Sequence, residues 1–185
     1  MIPINKNTLP ENVINFCPKC GNANFTFKTD NSFLCKNCKF HLYINSAAAV
    51  AALIINDDGE ILLTKRAIEP QKGMLDLPGG FVDVMETAEN AVSREIKEEL
   101  NLDVNSMKYF MSFPNEYIFG GISVFTIDLA YICRIESFNG IVATDDISDF
   151  EFYPLNSIPF DLIGSVSMKE IVKTFINNNL NESIN

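Results

Sequence analysis

Between Ala88 and Leu100 the chain reads as an amphipathic helix whose acids sit on the inward side. With about 100° per residue and Ala88 at zero, Ala91 falls at about 300°, Val92 at about 40°, Ile96 at about 80° and Leu100 at about 120°. Those positions define the face turned to a core. Asn90, Ser93, Arg94 and Lys97 fall between about 140° and about 240°, the outward polar side. Glu95 at about 340°, Glu98 at about 280° and Glu99 at about 20° lie within or beside the apolar side, so a solvated acidic face does not describe them. Carboxylates at i, i+3 and i+4 repel by a few tenths of a kcal/mol per pair when exposed and by more when partly buried. Such a helix needs a cation, and hard carboxylate oxygens on one face suit Mg²⁺ or Mn²⁺.

Around this helix the pattern alternates strands and loops. Ala47–Ile55 reads as a buried strand, Asn56-Asp57-Asp58-Gly59 as a turn and Glu60–Lys65 as a returning strand, together a hairpin. A loop over Pro70–Phe81 carries Gly73, Pro78, Gly79 and Gly80, and the helix follows over Thr87–Leu100. Val104–Phe113 and Ile118–Arg134 read as strands, Glu136–Asp149 as an acidic loop, Phe150–Pro154 as a short strand and Ser167–Asn177 as a closing helix. The polar end, residues 179–185, is expected to be a disordered tail.

Four of the five cysteines fall as Cys17-Pro18-Lys19-Cys20 and Cys35-Lys36-Asn37-Cys38, the paired-knuckle spacing of a four-thiolate zinc site. Four thiolates close the coordination sphere, so the expected Zn²⁺ is structural and supplies folding energy that so short a segment lacks. Phe25, Phe27 and Phe33 between the knuckles suit a short hairpin. Cys133 reads as a small core residue of a strand. His41, the only histidine, reads as a surface or packing residue. With no other histidine, a nucleophilic triad would have to draw on the ribbon, and a carboxylate base is the better expectation.

Fourteen Lys plus Arg against 24 Asp plus Glu leave a formal net charge of −10, which disfavours nonspecific binding to nucleic acid or anionic lipid. The segment Cys17–His41 runs the other way, with Lys19, Lys28, Lys36 and Lys39 against Asp30. No apolar run approaches the roughly 20 residues of a membrane span. The N-terminus lacks the features of a secretory signal, so the expectation is a cytoplasmic protein. The expected organisation is an N-terminal extension (1–14), a zinc ribbon (15–43), a catalytic domain (44–178) and the tail.

Gly80, five residues, Glu86, seven residues, then Arg94-Glu95-Ile96-Lys97-Glu98-Glu99-Leu100-Asn101-Leu102 closely resembles the signature of Nudix hydrolases, G-x5-E-x7-R-E-U-x-E-E-x-G-U with U aliphatic. One position departs: Asn101 replaces the last glycine, and Asn is the next most tolerated residue in a left-handed turn. The resemblance implies an α/β/α sandwich with a mixed sheet, preceded here by the small ribbon, that hydrolyses a nucleoside diphosphate linked to another group. Carried over by position, Glu95, Glu98 and Glu99 would hold the divalent ions, with Glu95 also a candidate base. The Gly80 carbonyl would add an oxygen, and Arg94 would pair with Glu86 in a supporting role, its wheel position turning it away from the glutamates.

A four-cysteine ribbon before such a domain is similar to NADH pyrophosphatases, which split NADH or NAD and some of which remove NAD caps from RNA. In that family an acidic residue precedes the next strand, where Asp146 stands, an extra metal ligand or base by resemblance. Its S-Q-P-W-P-F-P segment is matched here by Ser112-Phe113-Pro114-Asn115-Glu116-Tyr117-Ile118 at the Ser and first Pro alone. Phe113, Asn115, Glu116 and Tyr117 lie where a base or sugar would be held, or serve as strand residues. The expected partner is a small nucleotide such as NAD(H) or ADP-ribose. The family's relatives are often homodimers. A second reading is a nucleotide-sensing regulator without turnover, its basic ribbon binding nucleic acid or protein.

Overall fold

A computed structural model of the protein describes residues 4–182; the ends of the expected extension and tail, 1–3 and 183–185, lie outside the described residues. The chain divides into two compact units, the first reaching to Ala47 and taking in Glu116–Thr126, the second made of Ala48–Asn115 and the described residues from Ile127 onward.

In the first unit a single helical turn, α1 (Pro10–Val13), precedes a three-stranded sheet of β1 (Phe25–Lys28), β2 (Ser32–Cys35) and β3 (His41–Tyr43). β1 and β2 form the expected antiparallel hairpin, with Phe27 opposite Phe33, and β3 adds to the other edge of β2. Its small core is Cys17, Phe25, Phe33 and Cys35, with the Phe25 and Phe33 rings stacked at 4.9 Å.

The second unit is built on β4 (Ala47–Ile54), β5 (Glu60–Arg66), β6 (Leu75–Asp76), α2 (Ala88–Leu100), the larger parts of β7 (Val104–Phe119) and β8 (Ile122–Ile135), β9 (Ile147–Pro154) and α3 (Val166–Glu182). Two three-stranded sheets result, ordered β4-β8-β7 and β6-β5-β9. Strand alternation sends successive side chains to opposite faces. Val50, Ala52, Ile54, Leu62, Tyr131 and Cys133 accordingly join Ala91, Val92, Ile96 and Leu100 of α2 in one core. Ala51, Leu53, Ile61, Leu63 and Ala130 join Ile171, Val172 and Phe175 of α3 in the other. This is the expected helix-on-each-face α/β/α sandwich, and Cys133 is a core residue as read. No helix among the described residues is long and apolar enough to cross a membrane.

Several expectations need correction. β4 and β5 are not a hairpin pair. They lie in different sheets, joined by the turn at Asn56–Gly59 and one bridge between Ile55 and Ile61, because both are buried on two faces and take partners distant in sequence. The expected break at 114–117 is absent, since β7 runs through it to Phe119 and turns at Gly120-Gly121. β9 begins at Ile147, pairing with β5 from Arg66 onward, so the acidic loop ends at Asp146. α3 continues to Glu182.

Candidate active site

Thr87 starts α2, its hydroxyl accepting the Asn90 N–H at 3.2 Å. Asn101 ends it with φ 54° and ψ 30°, so the left-handed turn survives replacement of the signature glycine. Upstream, Gly79 and Gly80 are required for two separate reasons. Gly79 has φ +143°, and a Cβ there would lie 2.1 Å from the Val50 carbonyl oxygen. At Gly80 a Cβ would lie 2.5 Å from Glu95 Oε1. The glycine pair thus lets the loop press onto β4 on one side and onto the Glu95 carboxylate of α2 on the other.

Glu99 is 4% exposed, and its Oε2 accepts the Gly79 N–H at 3.0 Å. Burial, followed by the nearby charges of Asp146, Glu95 and Asp76, outweighs that bond and pushes its carboxyl up to about 9. Glu95 is raised as well, chiefly by burial, with Arg94 opposing and Glu98 and Asp146 adding to the rise. Glu98 is half exposed. Asp146, the residue taken from the acidic loop, lies close enough to act electrostatically on both buried glutamates.

Arg94 departs from its expected orientation. Its Nε and Nη2 donate to Glu86 at 3.0 and 2.9 Å, as expected, but Nη1 also donates to Glu95 at 2.7 Å and Glu98 at 3.0 Å, and Nη2 to the Phe81 carbonyl at 3.0 Å. A wheel angle locates a Cα; the long arginine side chain carries its charge back over the helix to the acids. Its guanidinium, with the Asp83 N–H, holds Glu86 down at about 2. One cation therefore serves Glu86, Glu95 and Glu98, while Glu99 and Asp146 add two more acids. This surplus of hard oxygen donors, two of them in poorly solvated positions, fits a divalent ion. The side chains are not drawn together as tightly as the thiols of the first unit: among the described residues only the four cysteines place three or more ligand atoms within 4.8 Å of one another. The Gly80 carbonyl accepts the Val50 N–H at 2.8 Å and keeps a second lone pair.

The remaining candidates take other contacts. Phe113 packs on the α3-side core. Glu116 Oε2 accepts the Asn5 N–H at 3.0 Å and its Oε1 the Ser123 hydroxyl at 2.5 Å, fastening the N-terminal segment within the first unit. Tyr117 stacks with Phe119 at 6.4 Å, and Asn115 is half-buried. Sequence reasoning passed over two residues near the acids: Asp76, largely buried and bridged to Arg66 at 3.1 Å, and Thr144, which bonds the end of α2. Neither lies in a periodic or spaced motif.

In the first unit Cys17, Cys20, Cys35 and Cys38 are free thiols whose sulfurs converge, with Cys17–Cys38 at 3.7 Å and Cys20–Cys35 at 3.6 Å. Zinc–sulfur bonds of about 2.3 Å at tetrahedral angles require sulfurs about 3.8 Å apart. The knuckles are matched: Gly21 N–H returns to the Cys17 carbonyl at 2.8 Å and Lys39 N–H to that of Cys35 at 3.0 Å, with φ +69° and +63°. Cys20 is lowered to about 6, first by the Asn22 backbone. Cys38 is pushed up to about 12: the Phe40 backbone bond lowers it, but burial and the neighbouring sulfurs prevail. Four thiolates cannot coexist so closely without a cation. His41 is no part of this cluster; its Nε2 meets the Ser32 hydroxyl at 2.6 Å and its ring lies 4.4 Å from Tyr43.

The second unit thus carries a glycine loop, a carboxylate helix and an acidic strand-entry residue on an α/β/α sandwich. A family model of the NUDIX domain matches residues 45–175, and the chain belongs to the Nudix family. It is 41% identical over 123 residues, 65% of this chain and 69% of the relative, to an ADP-ribose pyrophosphatase from Methanocaldococcus jannaschii. It is 29% identical over 163 residues to the NAD-capped RNA hydrolase NudC of Vibrio atlanticus, covering 86% of this chain and 56% of that one; the chain thus spans about half the length of that relative. A Nudix hydrolase crystal structure from Nitrosomonas europaea superposes with a TM-score of 0.67 at 21% identity, over 89% of this chain and 91% of that chain, a likeness of fold.

Proposed function

We propose that the protein is a divalent-metal-dependent pyrophosphohydrolase acting on a nucleoside diphosphate joined to a second group, with ADP-ribose first among the substrates and NAD(H) next. The observation that carries this reading is the acid surplus around α2: one guanidinium reaches Glu95 and Glu98, while Glu99 and Asp146 add two acids it does not reach. Identity to the archaeal relative favours ADP-ribose, and the ribbon favours the NAD(H) side.

Glu95, Glu98, Glu99 and the Gly80 carbonyl would hold Mg²⁺ or Mn²⁺, with Asp146 a further ligand or the base. When bound, such an ion neutralises phosphoryl oxygens and lowers the pKa of coordinated water. The rest falls to the chain. Arg94 ties the loop carrying Glu86 to the helix and holds Glu95 and Glu98 at fixed azimuth. Gly79 N–H anchors Glu99 against β4. A carboxylate among Glu95 and Asp146 takes the proton of the attacking water, and no covalent adduct with the enzyme is needed. The four thiolates of the first unit would hold one structural Zn²⁺.

Purified protein with Mg²⁺ or Mn²⁺ should convert ADP-ribose to AMP and ribose 5-phosphate, or NADH to AMP and the reduced nicotinamide mononucleotide, and Glu98→Gln should abolish the conversion. Full activity in that variant would overturn the site. Ligand binding without turnover by the wild type would instead favour the sensing reading.

A further inference from the structure

The last carbonyls of a helix have no partner within it and must find one elsewhere. In α2 those groups belong to the residues that carry the acids. The Lys97 carbonyl accepts the Asn101 N–H at 3.0 Å, within the helix's own cap. The next three turn outward to a different segment. The Leu100 carbonyl accepts the Val142 N–H at 3.2 Å, and the Glu99 carbonyl accepts the Thr144 N–H at 2.9 Å. The Thr144 hydroxyl shares its one proton between the Glu98 and Glu99 carbonyls. Asn101 Nδ2 adds a bond of 3.3 Å to the Gly140 carbonyl.

The segment that makes these bonds delivers Asp146 two residues later. Asp145 stands at φ +57°, reversing the chain. The Asp146 carbonyl then accepts the Ala67 N–H at 2.7 Å, and the Ile147 N–H closes on the Thr144 carbonyl at 3.3 Å. Asp146 is therefore pinned on one side to the end of β5 and on the other, through Thr144, to the backbone of the two glutamates. Thr144 itself is exposed, so its contacts contribute little to either apolar core.

We propose that Thr144 is a positioning residue: its hydroxyl locks the Glu98–Glu99 backbone to the Asp146 loop, fixing the spacing between acids on two separate elements. This rests on the metal reading given above and extends it to a residue outside the signature. A hydroxyl is needed because the Glu98 carbonyl receives no N–H from this loop, whereas Glu99 and Leu100 each do.

Manganese binding to the purified protein, read from the free-ion EPR signal, tests the proposal beside steady-state kinetics with ADP-ribose. Thr144→Ala keeps the main-chain bonds and removes the hydroxyl; Thr144→Val does the same at unchanged shape; Thr144→Ser restores it. The expected outcome is roughly tenfold weaker Mn²⁺ binding for Ala and Val, near the low end for loss of a group that supports metal ligands, with Ser returning to the wild-type value. The kinetic loss should fall on kcat with KM little changed. If Ala and Val bind Mn²⁺ like the wild type and merely melt earlier, Thr144 is a structural cap and the proposal fails. Glu98→Gln separates the two levels. If it too binds Mn²⁺ normally, the metal-site assignment is wrong; if it loses the ion while Thr144→Ala retains it, only the role of Thr144 is refuted.

Discussion

Replacing Gly80 by alanine separates loss of geometry from loss of fold. The added Cβ would stand 2.5 Å from Glu95 Oε1, 2.7 Å from Cδ and 2.9 Å from Oε2, whereas ordinary contact begins at 3.4 Å, so the carboxylate must retreat by about 0.9 Å. What it meets is the end of a flexible side chain, and Gly80 does not occupy the left-handed region. An alanine backbone is therefore unstrained, and the substitution should leave stability unchanged or raise it by about 0.4–1 kcal/mol through the unfolded chain. The cost falls on the site: moving Glu95 disturbs its 2.7 Å bond to Arg94, and a displacement near 1 Å of a reacting group costs about 10²-fold in rate. Gly79→Ala is the contrasting neighbour. Its Cβ would lie 2.1 Å from the Val50 carbonyl oxygen and 2.9 Å from its carbon, atoms of β4 that cannot retreat, at φ +143°. Thermal unfolding and ADP-ribose turnover should then diverge, with Gly80→Ala folded and about 100-fold slower and Gly79→Ala destabilised by several kcal/mol, as strain and overpacking combine. A Gly80→Ala enzyme with kcat within a few-fold of wild type would refute the placement of Glu95 in the reacting site.

Cys35→Ser should remove bound zinc as read by metal analysis and loosen the first unit, whereas Cys133→Ser, altering a buried thiol of the sandwich core, should keep the full complement; equal zinc in both would refute the four-thiolate assignment. Asp76 gives a pH signature. Burial raises its carboxyl from 3.8 to about 6 against the opposing pull of Arg66, so its contribution to stability is complete below about pH 4 and is lost as pH rises through 6. Relative to Asp76→Asn, the wild type should lose up to about 3 kcal/mol between pH 4 and pH 7 by urea titration in chelator, since a tenfold change in proton affinity between folded and unfolded chain corresponds to about 1.4 kcal/mol. Parallel curves would show that Arg66 keeps Asp76 charged throughout. Arg94→Gln should leave Glu86, Glu95 and Glu98 without their shared cation, lowering stability without metal, and added Mg²⁺ should recover part of the loss; no recovery would argue that the acids do not share an ion.

What could be read from the sequence was whatever depended on local spacing. Paired cysteines three apart dictate their own knuckles, and a 3.6-residue period dictates which face of α2 carries Glu95 and Glu99. Helix caps are equally local, which is why Asn101 takes its left-handed turn in place of glycine. Strand partnership is not local. Ala47–Ile54 and Glu60–Arg66 flank an ideal turn, and nothing in their composition says that each is covered on both faces and must seek other strands. The unbroken run of β7 through Pro114 escaped notice for a related reason: one proline demotes a strand by pattern, yet this one is exposed and is accommodated within the strand.

Arg94 shows most sharply where such reading stops. Its Cα azimuth points to solvent, and an ordinary exposed arginine there would lend at most a few tenths of a kcal/mol to α2. The loop from Gly80 to Glu86 changes that. By folding back, it presents Glu86, the Asp83 carboxylate at 3.9 Å and the Phe81 carbonyl to one guanidinium, drawing the arginine head across the acids. Gly79, the residue that leads into this loop, gives its N–H to Glu99, so one stretch of backbone sets three of the α2 acids and their counter-charge together. The inward acids of α2 and the Gly80–Glu86 spacing are therefore two views of one requirement: a helix with its acids turned inward is tolerable only where a loop brings both a cation and a backbone donor to meet them.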